Sequence, residues 1–148
     1  MLPVDFESRK LASPIFNYPY ARAREALETM RREQEWDPCH GLKMRYVNPV
    51  DGGHAMPTIA AFLQLLPAGF QGQPYRATDA TIFCAVEGHG RTTIGGEAFD
   101  WGPHDIFAAP SWSPIAHQAS SEAVLFSFSD RAAQQALRLW REQAPMLE

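Results

Sequence analysis

Cysteine is nearly absent from this chain. Two residues, Cys39 and Cys84, cannot build a disulfide framework or complete a zinc site. Cys84 lies in the apolar run ATIFCAV and reads as a small core residue. Cys39, beside His40 in DPCHG, reads as part of a turn, since one Cys–His pair is half a metal site. Long apolar runs are missing too. No stretch reaches the roughly 18 residues of a membrane span, and MLPVDFESRK lacks the apolar region of a signal peptide. Both absences predict a cytoplasmic protein with no membrane partner. Positive charge is scarce: 13 Lys and Arg face 17 Asp and Glu, a net charge of −4. That balance argues against a nucleic-acid partner. The basic clusters (Arg22 and Arg24 with Arg31 and Arg32, then Arg131, Arg138 and Arg141) are interleaved with Glu and read as solvated helix faces.

What is present is the material of one globular domain. The 148 residues can bury a real core, and a hydrophobic share of 45% is that of an ordinary soluble protein. Residues 1–19 hold three prolines, which forbid a regular helix or inner strand. Phe6, Ile15, Phe16, Tyr18 and Tyr20 make this stretch too apolar for a free tail, so it reads as an extended arm laid on another surface. From about residue 21 to 35, Ala23, Leu27 and Met30 recur at helical spacing, and DPCHG ends that helix.

Beyond about Lys43 the pattern becomes that of strands. Runs at 58–66, 80–86, 91–94, 97–101, 105–109, 114–118 and 123–129 are separated by turn signals, which predicts an all-β sandwich or barrel. Gly95-Gly96 marks a tight hairpin, because both central residues of a type I′ turn need positive φ. Asp130 then opens a last helix with Ala133, Ala136, Leu137 and Trp140 on one face. The layout divides as arm and linker helix (1–42), barrel (43–130) and C-terminal helix (131–148), forming one structural domain.

The stretch PYRATDATIFCAVEG, with its closing Gly88, and the later GPHDIFAAPSWSPIAHQ resemble the two motifs of the cupin superfamily. That resemblance implies a double-stranded β-helix, or jelly-roll, barrel. Cupin motifs usually supply two His and a Glu before the closing Gly, and a third His after the second motif's Pro. Such ligand sets suit Fe(II) or Mn(II) with positions left open for substrate. Aligning on Gly88 puts the two His positions at Tyr75 and Ala77 and the Glu position at Thr81. Aligning on Pro110 puts the third His position at Ile115. All four ligand positions therefore lack a usual ligand, and no metal is expected in this chain. Gly88, Gly102-Pro103 and Pro110 serve turn geometry, which folding needs with or without a metal.

A closer resemblance runs from about residue 11 to 141. SPIFNYPYARAREAL, DPCHGLKMRYVNP, GGHAMPTIAAFLQLLPAGF, FDWGPHDIFAAPSW and AVLFSFSDR look like the C-terminal cupin, with its linker and helix, of gentisate 1,2-dioxygenase. The same group of bicupin ring-cleaving dioxygenases includes salicylate and 1-hydroxy-2-naphthoate dioxygenases. The resemblance implies that Fe(II) and catalysis belong to an N-terminal cupin, and that this chain looks like the second half alone. It would then pair with a second cupin or form a homo-oligomer, and would be structural and inactive by itself.

Two other readings stand beside this one. An autonomous metal-free cupin could hold a small aromatic acid in a pocket of Tyr75, Trp112 and His117. His117 shares a strand face with Ile115, although a hydrogen-bonded core histidine is the plainer reading. The other is a metalloenzyme with improvised ligands drawn from His54, His104, His117, Asp79 and Glu97. His54, His89 and His104 read as exposed loop residues, and Arg76 with Asp79 as an ion pair at the barrel mouth.

Overall fold

The spacing of Ala23, Leu27 and Met30 gives the first regular element of the computed structural model, which describes residues 17–145. This is α1, Tyr20–Glu33. The proline-rich arm falls outside the described residues over 1–16. Leu27 is fully buried, with Ala23 and Met30 beside it, against Leu42, Leu63, Leu65 and Val124. Arg24 ties the same helix to Glu87 and Glu122 at 3.3 and 2.7 Å and pairs with Glu28 within it.

Ten strands follow. β1 (Leu42–Arg45), β2 (Ala60–Leu66), β4 (Thr81–Glu87), β7 (Ile106–Ala109) and β9 (Ala123–Ser129) form one antiparallel sheet in the order β1-β2-β9-β4-β7. β5 (Gly90–Ile94), β6 (Glu97–Trp101) and β8 (Ile115–Ala119) form a second in the order β6-β5-β8. β3 (Arg76–Ala77) pairs with β10 (Glu142–Gln143). Single bridges from Gln71 to Gln118 and from Tyr75 to Ile115 join that pair's segment to β8. Non-sequential strand neighbours, with both sheets facing one core, make the jelly-roll barrel expected from the motifs.

Strand alternation sorts the residues onto two faces. Leu66, Phe83, Ala85, Ala109, Leu125 and Ala123 from the large sheet meet Trp101, Ile115 and Ala119 from the small one in a single buried cluster. Residues of opposite phase on β1, β2 and β9 face outward and carry α1. Cys84 belongs to this outward set on β4 and is only half-buried, which corrects its reading as a core residue. Cys39 lies in the DPCHG turn, as expected, but is also buried in the barrel core.

Turn chemistry holds where the glycines predict it. Gly95 and Gly96 both have positive φ, at 59° and 93°, between β5 and β6. Gly88 sits at φ 77°, and a Cβ there would come within 2.1 Å of the Glu122 carbonyl oxygen. The last helix is shorter than its pattern predicts. α2 spans Arg131–Ala136, and Arg138 at φ 59° reverses the chain after it. Leu137 and Leu139 are left exposed, while Trp140 leaves the helix to place its indole N–H on Asp79. That buried carboxylate outcompetes one more helical turn, and the chain returns as β10.

Candidate functional site

Tyr75 and Ile115, assigned by the cupin resemblance to two ligand positions, are directly opposed. The Tyr75 backbone N–H donates to the Ile115 carbonyl at 2.9 Å, and the Ile115 N–H returns to the Tyr75 carbonyl at 2.7 Å. Ala77, two residues on, points to the same side and is also buried. Thr81 opens β4, half-buried, in register with Ala109 and Ser129. At these four places the barrel offers a phenol, a methyl, a hydroxyl and a branched alkyl group. Burial first, then the nearby carboxylates, raise the Tyr75 pKa above its ordinary value, so the phenol keeps its proton.

The Tyr75 hydroxyl faces His117 Nε2 at 3.4 Å. His117 is fully enclosed on β8, with the Phe83 ring 4.9 Å away, edge to face. Its Nδ1 lies 2.9 Å from the Thr92 hydroxyl, and that oxygen accepts the Trp101 indole N–H at 2.8 Å. While its oxygen accepts from Trp101, the Thr92 hydroxyl can donate its own proton to Nδ1, a pairing in which the ring proton sits on Nε2 toward Tyr75. Burial, then the charges of Lys43 and His40, lowers the His117 pKa to about 3. The imidazole is therefore neutral and satisfied, the plainer of its two sequence readings. Trp112 stands apart from this pair. It is 40% exposed at φ 62°, with the Arg76 guanidinium 4.6 Å over its ring. Of the three residues expected to share a pocket, Tyr75 and His117 meet.

Arg76 and Asp79 do not pair. Arg76 donates to Gln143, whereas Asp79 is buried and accepts from Arg131 at 3.2 Å and from Trp140 at 2.8 Å. Burial pushes the Asp79 carboxyl up, but Arg131 and hydrogen bonds from Ser129 and Trp140 outweigh it, and its pKa is lowered. Arg131 also reaches Glu142 at 3.8 Å, and Glu142 approaches His40 Nε2 at 3.6 Å. The His40 ring packs edge-on against Tyr75 at 4.3 Å. This chain of charges from α2 and β10 closes one side of the barrel. Arg131 of SFSDR gave no sign of it, because Asp79 lies fifty-two residues away in sequence.

Beside this network lies a polar group that the sequence reading missed, with Lys43 Nζ and the Arg131 guanidinium each 5.0 Å from the Phe62 ring centre. Lys43, Gln64 and Ser127 come from β1, β2 and β9, with Lys43 directly opposite Gln64. Gln64 is fully buried with both amide atoms unpartnered, and the buried Ser127 hydroxyl is unpartnered as well. A single glutamine inside the apolar run AAFLQLL was the available signal.

The remaining histidines are scattered. His54 Nε2 contacts Gln135 at 2.7 Å, and His104 occupies a turn at φ 76°. Among the described residues, no three His, Cys, Asp or Glu side chains come together in a way that could hold a metal ion. The improvised ligand set of His54, His104, His117, Asp79 and Glu97 is thus not assembled. A surface recess of about 590 Å³ lies between α1 and β1, lined by Tyr18, Ala23, Met44 and Tyr46, outside the barrel and away from these groups. No described helix is long and apolar enough to cross a membrane.

No family model matches the chain. It is 63% identical over 142 residues to gentisate 1,2 dioxygenase 1 of Aquipseudomonas alcaligenes, covering 96% of this chain and 41% of that protein. It is 33% identical to the 5-aminosalicylate 1,2-dioxygenase of a Comamonas species, covering 96% and 38%. Among solved structures, salicylate 1,2-dioxygenase from Pseudoaminobacter salicylatoxidans, in adducts with gentisate, superposes with a TM-score of 0.82 at 32% identity. That match covers 97% of this chain and 40% of the other. The chain thus spans about two fifths of the length of the relatives it matches.

Proposed function

The chain belongs by homology to the gentisate 1,2-dioxygenase family, over a share of its members expected of a C-terminal cupin half, and from that premise we propose that it is a supporting half without catalysis of its own. Its part is to brace a catalytic cupin and to help build the oligomer. The observation that carries this reading is the chemistry of four positions. Tyr75, Ala77, Thr81 and Ile115 occupy the places where the cupin motifs put three His and a Glu. These residues do not fit a ferrous ion. The two side chains with oxygen are a threonine hydroxyl and a phenol kept protonated by burial, and the other two have no donor atom. The aromatic-acid chemistry of the relatives is assigned on this reading to a metal-bearing partner cupin.

Oxygen uptake with gentisate tests the proposal. The chain alone, loaded with Fe(II), is expected to consume none and to retain well under one equivalent of iron. Introducing Tyr75→His, Ala77→His and Ile115→His should restore metal binding before any turnover. The partners that orient imidazoles would still be missing, and each is worth about 10–100-fold in affinity or activity. Ring-opened product from the unaltered chain would overturn the reading.

A further inference from the structure

Besides His40 Nδ1 and His54 Nδ1, the buried side-chain atoms without a hydrogen-bond partner among the described residues belong to Gln64 and Ser127. Gln64 lies between Phe62 and Leu66 on the inward face of β2, and Leu66 belongs to the barrel core. Ser127, two residues beyond core residue Leu125, faces inward from β9. β2 pairs with β9 so that Gln64 opposes Leu125 and Phe62 opposes Ser127, which makes Gln64 and Ser127 diagonal neighbours on one face. Both are 0% exposed, yet the Gln64 amide oxygen and nitrogen and the Ser127 hydroxyl have no hydrogen-bond partner. Leaving such groups buried and unmade costs about 1–3 kcal/mol each, so they call for an occupant.

Lys43 indicates its charge. Paired with Gln64 across β1–β2, it carries its Nζ 5.0 Å from the centre of the Phe62 ring and 6.0 Å from that of Tyr75. It forms no ion pair among the described residues. Burial, then the Arg131 cation, lowers its pKa to about 8, while Glu142, Asp79 and Asp37 favour the charged form.

We propose that Lys43, Gln64 and Ser127 form a seat for a small monocarboxylate inside the barrel. Among them they offer an ammonium, an amide N–H₂ and a hydroxyl as donors. The ammonium's spare protons can also serve the Gln64 oxygen. Charge-assisted hydrogen bonds of this kind are the strong ones. The Tyr75 ring and Phe62, whose ring also carries the Arg131 guanidinium at 5.0 Å, flank the space for the remainder of the ligand. None of the three seat residues occupies a cupin ligand position, so failure of this proposal would leave the family reading intact.

The test is an NMR titration of the full chain with acetate at constant ionic strength, following the Gln64 side-chain amide. That signal is identified by its loss in Gln64→Leu. Acetate should shift it saturably, with half-saturation at or below about 10 mM, and chloride should not. Lys43→Met should weaken acetate binding by about tenfold or more. Ser127→Ala, a milder change, provides the same comparison should Lys43→Met fail to fold. No saturable shift would mean that ordered water suffices there, and the proposal falls. An equal response to chloride, or unchanged affinity in every folded variant, overturns it as well.

Discussion

His117 shows how a titratable residue is held neutral inside an apolar barrel. Its two nitrogens are committed to Thr92 and Tyr75, and the Phe83 ring closes one face. A histidine with its pKa lowered from 6.5 to about 3 binds a proton more readily in the unfolded chain. Stability is therefore complete above about pH 6.5 and drains as pH falls toward 3, by at most about 1.4 kcal/mol per pH unit. Burial lowers the pKa of His40 as well, so it adds a share of the same sign. Asp79 and Glu142, with pKa values lowered by their partners, surrender stability as pH falls through the ordinary carboxylate range and below it. Urea unfolding between about pH 6.5 and pH 5 thus isolates the histidines. The slope of stability against pH should be flatter in His117→Gln than in the parent chain. Parallel slopes would mean that His117 is not the buried neutral group described.

Elements are fixed by two different forces. α1 is docked by packing: Leu27→Ala should cost about 2–5 kcal/mol in denaturant unfolding, because the cavity beneath it is enclosed by strands. Arg24→Met should cost less than about 1 kcal/mol, because its acidic partners are solvated and such pairs contribute little. α2 and β10 depend instead on a buried charge. Asp79→Ala leaves Arg131 without its enclosed partner and Trp140 without its acceptor. A loss of about 3–5 kcal/mol is expected. Hydrogen exchange should show the amides of α2 and β10 opening first, while those of β2 and β9 stay protected. Uniform loss of protection would show that the carboxylate supports the whole barrel rather than its closing segment.

At the scale of the molecule, the described residues cover the large sheet only in part. α1 lies over the β1–β2 end of its outer face. Farther along, Phe128 opposes Ile82 and Ile106 opposes Cys84, with Phe128 40% and Ile106 70% exposed. Exposed apolar patches of this sort find partners. The isolated chain should therefore self-associate, and sedimentation velocity should show species larger than the monomer. Substituting Ile106→Lys together with Phe128→Ser should return it to the monomer with its unfolding curve little changed. A clean monomer for the parent chain at high concentration would count against an interface on this face.

The sequence by itself determined the order of α1 and of seven strands, while β1, β3 and β10 lie outside its predicted runs. Alternation set the strands, Gly88 and Gly95-Gly96 set the turns, and the Ala23–Leu27–Met30 spacing set the first helix. These are local signals, each written in a few adjacent residues. The motif positions of Tyr75 and Ile115 came from the cupin resemblance, whereas their pairing across a single bridge is a fact of the fold. Tertiary structure alone decided the rest. The last helix stops at Ala136 because Trp140 finds a carboxylate sixty-one residues away. Asp79 takes Arg131 rather than its near neighbour Arg76, since the buried partner is the one the fold brings to it. Lys43, Gln64 and Ser127 share one face only because β1, β2 and β9 are adjacent in the sheet. Partner choice among polar groups is a property of three-dimensional proximity and burial, and neither is written in a local pattern.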